Sequence, residues 1–155
     1  MRPMTENLTA EYPQESMDII DTTPEAAPSF IPNTDHFVEE DGVRFAGKHL
    51  IIDLFGAKRL DDIEFIDATL RDCIEVSGAT LLHLHLHHFT ENSGVSGVAV
   101  LAESHISIHS WPEYGYAAMD VFMCGETEPH LAVEVLRRAF KPDRIEVGEH
   151  RRGKL

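Results

Sequence analysis

Residues 103–125 read ESHISIHSWPEYGYAAMDVFMCG and gather side chains able to do chemistry. They hold Ser104, His105, Ser107 and His109, the carboxylates Glu103 and Glu113, Trp111, and Cys124 near the far end. A serine hydroxyl attacks carbonyl carbon, an imidazole moves protons near neutral pH, and a thiol donates or accepts one. These residue types suit acyl transfer coupled to proton transfer. Taken singly, each also fits a structural role: His109 as a hydrogen-bonded strand histidine, Cys124 as a small core residue.

The pattern around them predicts a hairpin. Residues 104–110 alternate polar and apolar side chains, the period of a half-buried strand, so His105, Ser107 and His109 share one face. Trp111-Pro-Glu-Tyr-Gly115 turns the chain, because proline fixes its own φ and glycine accepts a positive one. Residues 117–123 form a second apolar run that returns Cys124 towards the start of the first strand. Ser104, His109 and Cys124 are therefore expected to meet in space.

The rest of the chain must position this hairpin. Its 155 residues, 43% of them hydrophobic, suit one domain with one core. No apolar run approaches the ~20 residues that span a bilayer, and no basic segment followed by an apolar one opens the chain, so neither membrane nor secretion is expected. Two cysteines, Cys73 and Cys124, make no disulfide framework and point to a reduced, cytoplasmic setting. A net charge of −14 argues against nucleic-acid binding, which relies on Lys and Arg to neutralise phosphates.

Residues 1–45 carry ten of the acidic residues and five of the eight prolines, against only Arg2 and Arg44 as basic partners. Such a segment buries too little apolar surface to offset its ordering entropy, so it is expected to be a disordered extension, with residues 17–20 and 30–31 as docking points. The domain is expected to occupy 46–155. Residues 48–55 read as a buried strand. Asp61 or Asp62 caps a helix whose face runs through Ile63, Ile66, Leu70 and Ile74, with Cys73 as a core residue beside it. Residues 80–89 alternate leucine with His83, His85 and His87, and residues 95–101 form the strand before Glu103. Pro129 opens a second helix with Leu131, Val135 and Ala139 on one face, and residues 144–149 form a last strand. The order β-α-β-β-β-β-α-β predicts an α+β fold, an antiparallel sheet with both helices on one face. The other face then needs a cover, which a second copy packed sheet against sheet would supply.

The run E-S-H-x-S-I-H-x-W-P-E-Y-G-Y-A-A-x-D-x-F-x-C-G resembles the processing site of the prokaryotic S-adenosylmethionine decarboxylases, and a looser likeness spans about Gly47 to Gly153. The resemblance implies a proenzyme that cuts itself between Glu103 and Ser104 and makes a pyruvoyl cofactor from Ser104. It implies His109 as the processing base and Ser96 as a hydroxyl that helps hold the tetrahedral intermediate. Cys124 would be the proton donor of decarboxylation. Glu113 would bind the ribose hydroxyls, and Phe89 would stack on adenine, in a loop one residue longer than the usual pattern. It also implies S-adenosylmethionine as substrate, decarboxylated through a Schiff base for spermidine synthesis, and a homodimer as the working unit. Trp111 is expected to be structural.

Two alternatives remain at this level. A relative with the same processing core would decarboxylate arginine or ornithine. A different class, a non-catalytic histidine-rich metal-binding module, would use His83, His85 and His87. No carboxylate or thiolate is placed by sequence to complete such a site, so no metal is expected.

Overall fold

The computed structural model describes residues 36–91 and 93–155, which lie within the compact unit Thr34–Leu155. The expected disorder of the extension up to residue 35, and its two docking points, lie outside the described residues.

A short hairpin comes first, β1 (Val38–Glu40) and β2 (Val43–Phe45). Asp41 and Gly42 turn it with φ of +54° and +73°, the paired positive values of a tight Asp-Gly hairpin turn. The described strands thus reach into the stretch that composition assigns to the extension, and Phe45 is fully buried.

The remaining elements follow the expected order: β3 (Gly47–Phe55), α1 (Ile63–Val76), β4 (Leu81–His88), β5 (Val95–Leu101), β6 (Ser104–Trp111), β7 (Tyr116–Cys124), α2 (Pro129–Phe140) and β8 (Arg144–Arg152). A short 3-10 turn, Pro112–Tyr114, joins β6 to β7. Six strands form one antiparallel sheet in the order β4-β5-β6-β7-β3-β8.

Strand periodicity decides which face is covered. Leu50, Ile52 and Leu54 of β3, Ile106 and Ile108 of β6, and Met119, Val121 and Met123 of β7 all point towards the helices and are buried. Each such side chain contributes about 1.5–3 kcal/mol by leaving water. Asp62 caps α1 by accepting the Phe65 N–H at 3.0 Å. In α2 the buried face runs through Ala132, Val135, Leu136 and Phe140, and Leu131 is exposed. The face expected through Leu131 is therefore rotated by about one position. Cys73 is buried between the helices, its Sγ 3.7 Å from the Ala132 carbonyl, and burial pushes its thiol up to about 12.

Among the described residues, the opposite face of the sheet carries no helix. It presents His83, His85 and His87 of β4, Ser96, Val98 and Val100 of β5, His105, Ser107 and His109 of β6, and Asp120, Phe122 and Cys124 of β7. The expected leucine face of β4 breaks at Leu82, which a register shift between Leu81 and His83 leaves exposed. No helix among the described residues is long and apolar enough to cross a membrane.

Candidate active site

The β6–β7 hairpin brings Ser104 and Cys124 together at one end. Cys124 N–H donates to Ser104 Oγ at 3.2 Å, and Cys124 Sγ–H donates to the Glu103 carbonyl oxygen at 3.2 Å. One cysteine therefore touches both sides of the Glu103–Ser104 peptide bond. Glu103 itself has φ of +60°, a left-handed conformation that a residue with a Cβ adopts at a cost. The tight connection between paired Leu101 and Ser104 imposes it. Burial, then the Glu103 carboxylate, pushes the Cys124 thiol above its ordinary value, so it stays protonated.

Gly47 makes room for that thiol. It pairs with Cys124 across β3 and β7, and a Cβ there would come within 2.5 Å of the Met123 carbonyl oxygen and 2.9 Å of Cys124 Sγ. The carbonyl belongs to a strand hydrogen-bonded on both sides and cannot give way. Gly47→Ala is expected to lower stability by about 1–3 kcal/mol, the usual cost of overpacking, measured by thermal unfolding.

Next to Cys124 the open face holds an ordered polar chain. Arg152 donates to His49 Nδ1 at 2.9 Å, which fixes the other nitrogen as the donor to Asp120 Oδ1 at 2.8 Å, and Ser107 donates to Asp120 Oδ2 at 3.2 Å. The rings of His49 and His105 both pack on Phe122. Burial, followed by His49, holds His105 below the ordinary imidazole value against the opposing pull of Asp120. Asp120 stands in the motif without a role, and His49 was not signalled by the sequence; only their shared strand face, known once β3 pairs with β7, joins them.

His109 does not join Ser104 and Cys124 within one chain. It lies five residues along β6, ~16 Å at the usual strand rise, and its parity puts it on the open face while Ser104 points to the core side. The expectation that all three meet is corrected by this geometry: a hairpin returns Cys124 to Ser104 but leaves His109 beside the turn. There His109 Nδ1 is 2.8 Å from Ser96 Oγ, its register partner on β5. Both line a cleft with His87, Phe89 and Trp111. Trp111, expected to be structural, lines the cleft and stacks on Tyr116 with centroids 5.3 Å apart. Tyr116 is held by donating to Asp53 at 2.6 Å, and that hydrogen bond pushes its hydroxyl up to about 12. Glu113 follows in the 3-10 turn.

The chemistry-bearing residues thus form two groups at opposite ends of the hairpin: Glu103, Ser104 and Cys124 at one end, and Phe89, Ser96, His109 and Trp111 at the other. Among the described residues no group of three His, Cys, Asp or Glu converges as a metal site, and His83, His85 and His87 follow one another along β4.

A sequence model of the family described as S-adenosylmethionine decarboxylase matches residues 48–153. The S-adenosylmethionine decarboxylase proenzyme of Thermomicrobium roseum is 46% identical over 110 residues, covering 70% of this chain and 95% of that protein. The proenzyme of Thermotoga maritima is 44% identical over 111 residues, covering 70% and 85%. The crystal structure of adenosylmethionine decarboxylase from Aquifex aeolicus superposes with a TM-score of 0.64 at 34% identity, covering 70% of this chain and 92% of that one. With a family match over residues 48–153 and relatives aligned along nearly their whole length, the chain belongs to the S-adenosylmethionine decarboxylase family.

Proposed function

We propose that this chain is a proenzyme that cuts itself between Glu103 and Ser104 and then decarboxylates S-adenosylmethionine with a pyruvoyl group derived from Ser104. The observation that carries this reading is the placement of Cys124 at 3.2 Å from both the Glu103 carbonyl oxygen and Ser104 Oγ. The residues at the bond fit formation of the group: a nucleophile, a strained acyl donor and a protonated thiol on its oxygen.

Ser104 Oγ attacks the Glu103 carbonyl carbon, and the Cys124 thiol supports the charge that collects on oxygen. The C–N bond breaks as the Ser104 nitrogen takes a proton, leaving an ester. A base then removes the Ser104 α-proton, the Cβ–Oγ bond breaks, and Glu103 leaves as a carboxylate. The dehydroalanine left at 104 takes up water and loses ammonia, which gives the pyruvoyl group. That group supplies a carbonyl that binds the substrate amine and draws electrons as carbon dioxide leaves.

His109 is the base in this scheme, and Ser96 acts through it by fixing the ring. Since ~16 Å separates His109 from Ser104 along one strand, the complete centre takes its Ser104–Cys124 half from one copy and its Ser96–His109 half from a second. The sheet face opposite the two described helices, with exposed Val98 and Val100 beside these groups, is the surface on which the second copy packs. The Phe89–Trp111 cleft suits an adenine ring, and Glu113, two residues after Trp111 in the turn, suits ribose hydroxyls. Those features favour the nucleoside substrate over arginine or ornithine.

After cleavage Cys124 holds the proton that the substrate α-carbon receives. Cys124→Ser is expected to process at least in part, because backbone N–H to Ser104 remains. Its decarboxylation, followed as carbon dioxide release from S-adenosylmethionine, is expected to fall 10²–10⁴-fold, roughly the cost of losing a positioned acid. Full turnover by the processed variant would move the proton donor elsewhere.

A further inference from the structure

His36 precedes the family match, which begins at residue 48, yet it lies against the processing hairpin. Its carbonyl oxygen accepts the Gly125 N–H at 2.7 Å, one residue beyond Cys124. Its ring borders the same glycine, with Nδ1 3.5 Å from where a side chain at 125 would begin. Its Nδ1 also lies 3.4 Å from Glu103 Oε2. Glu103 has the left-handed backbone, and its carbonyl accepts from Cys124. A residue outside the shared domain therefore touches the side chain of the acyl donor and the strand end that carries the thiol.

Charge gives this contact a consequence. When Ser104 Oγ attacks, negative charge gathers on the Glu103 carbonyl oxygen. A carboxylate on the same residue opposes that charge, in part screened by water because the Glu103 side chain is more than half exposed. The carboxylate is felt at this site, because it adds to burial in holding the Cys124 thiol protonated. The His36 ring, with Nδ1 3.4 Å from Oε2, offers that carboxylate a partner on the side of residue 36.

We propose, on the reading that Glu103–Ser104 is the cleaved bond, that His36 is a positioning residue for self-cleavage: it holds the Glu103 carboxylate away from the carbonyl that Ser104 attacks. Cofactor formation in this chain then depends on a segment that the 48–153 domain lacks.

The test is a double-mutant cycle in the full-length chain. Protein is pulse-labelled during cell-free synthesis, and the disappearance of uncut chain is timed. His36→Ala is expected to slow cleavage about fivefold, the upper reach of an exposed ion pair. The backbone contact through the residue 36 carbonyl survives that change. His36→Lys, which places a cation beside Glu103, is expected to recover most of the rate. In a Glu103→Gln background, where no carboxylate opposes the oxyanion, His36→Ala is expected to have no further effect. A His36 that merely supports the fold would slow cleavage equally in both backgrounds, and that result overturns the proposal, as does an unchanged rate in His36→Ala. A wild-type chain that is never cut overturns the reading of the bond itself, and the role of His36 with it.

Discussion

Ser104→Ala is expected to leave one uncut chain of 17.4 kDa, while the wild-type protein yields fragments of residues 1–103 and 104–155. The substitution removes the only oxygen that can carry the acyl group from nitrogen, so the effect on cleavage is total. Its cost to folding is small. Ser104 is 9% exposed, alanine fits its space, and the loss is one hydrogen bond from the Cys124 N–H, worth about 1 kcal/mol. An uncut variant with a thermal unfolding midpoint near that of the wild type separates missing chemistry from missing structure. A Ser104→Ala chain still cut at 103–104 would sink the mechanism.

The sheet order adds a second expectation about the wild-type fragments. The first fragment supplies β4, β5 and β3, and the second supplies β6, β7 and β8, so the order β4-β5-β6-β7-β3-β8 interleaves them. The β6–β7 hairpin is hydrogen-bonded on one side to β5 and on the other to β3, and β3 lies between β7 and β8. Separating the fragments would break three strand pairings and open the core. They are expected to stay together under native conditions and to part only in denaturant.

Much of this was legible because strand parity is a strong signal. The alternation of residues 104–110 placed His105, Ser107 and His109 on one face, and the turn at Trp111–Gly115 returned Cys124 to Ser104. The same parity, read strictly, also separates Ser104 from His109, since 104 and 109 fall on opposite faces. Proximity in sequence and a shared motif obscured that. The motif groups residues by the chemistry they serve, and that chemistry need not be completed by one copy of the chain.

The N-terminal elements were missed for a different reason. Strands of three residues, β1 and β2, are too short to show a period, and their acidic surroundings read as extension. The Asp41-Gly42 pair between Val38 and Val43 was the available signal, since Asp-Gly between apolar residues favours a tight hairpin. Nothing local marks His36. Its contacts with Glu103 and Gly125 join residues 67 and 89 positions away in the chain, and only the folded hairpin brings them near. Likewise, Leu131 looked like a core residue by spacing, but the αL cap at Lys141 and the buried Phe140 fix the helix with Ala132 and Leu136 inward.

A chain with Ser104→Ala and a chain with His109→Ala, each inert alone, are expected to restore cleavage when produced together. By itself, His109→Ala keeps Ser104 and Cys124 but lacks the proposed base, so it should accumulate uncut chain or its ester, which hydroxylamine splits at 103–104. Ser104→Ala keeps the base and its Ser96 partner. In a two-fold symmetric pair each copy offers the same face to the other, so two equivalent centres form, each built from one end of both hairpins. A mixed pair then contains one complete centre, with Ser104 and Cys124 from the His109→Ala chain and Ser96 and His109 from the Ser104→Ala chain. Random assortment gives about half of each chain in mixed pairs, so up to that fraction of the His109→Ala chain is cut, and none of the Ser104→Ala chain. Different affinity tags on the two chains confirm that mixed pairs are present, and intact mass reads which chain is cut. If tagged mixed pairs form and neither chain is cut, His109 serves Ser104 of its own chain, and the hairpin must rearrange to bring them together.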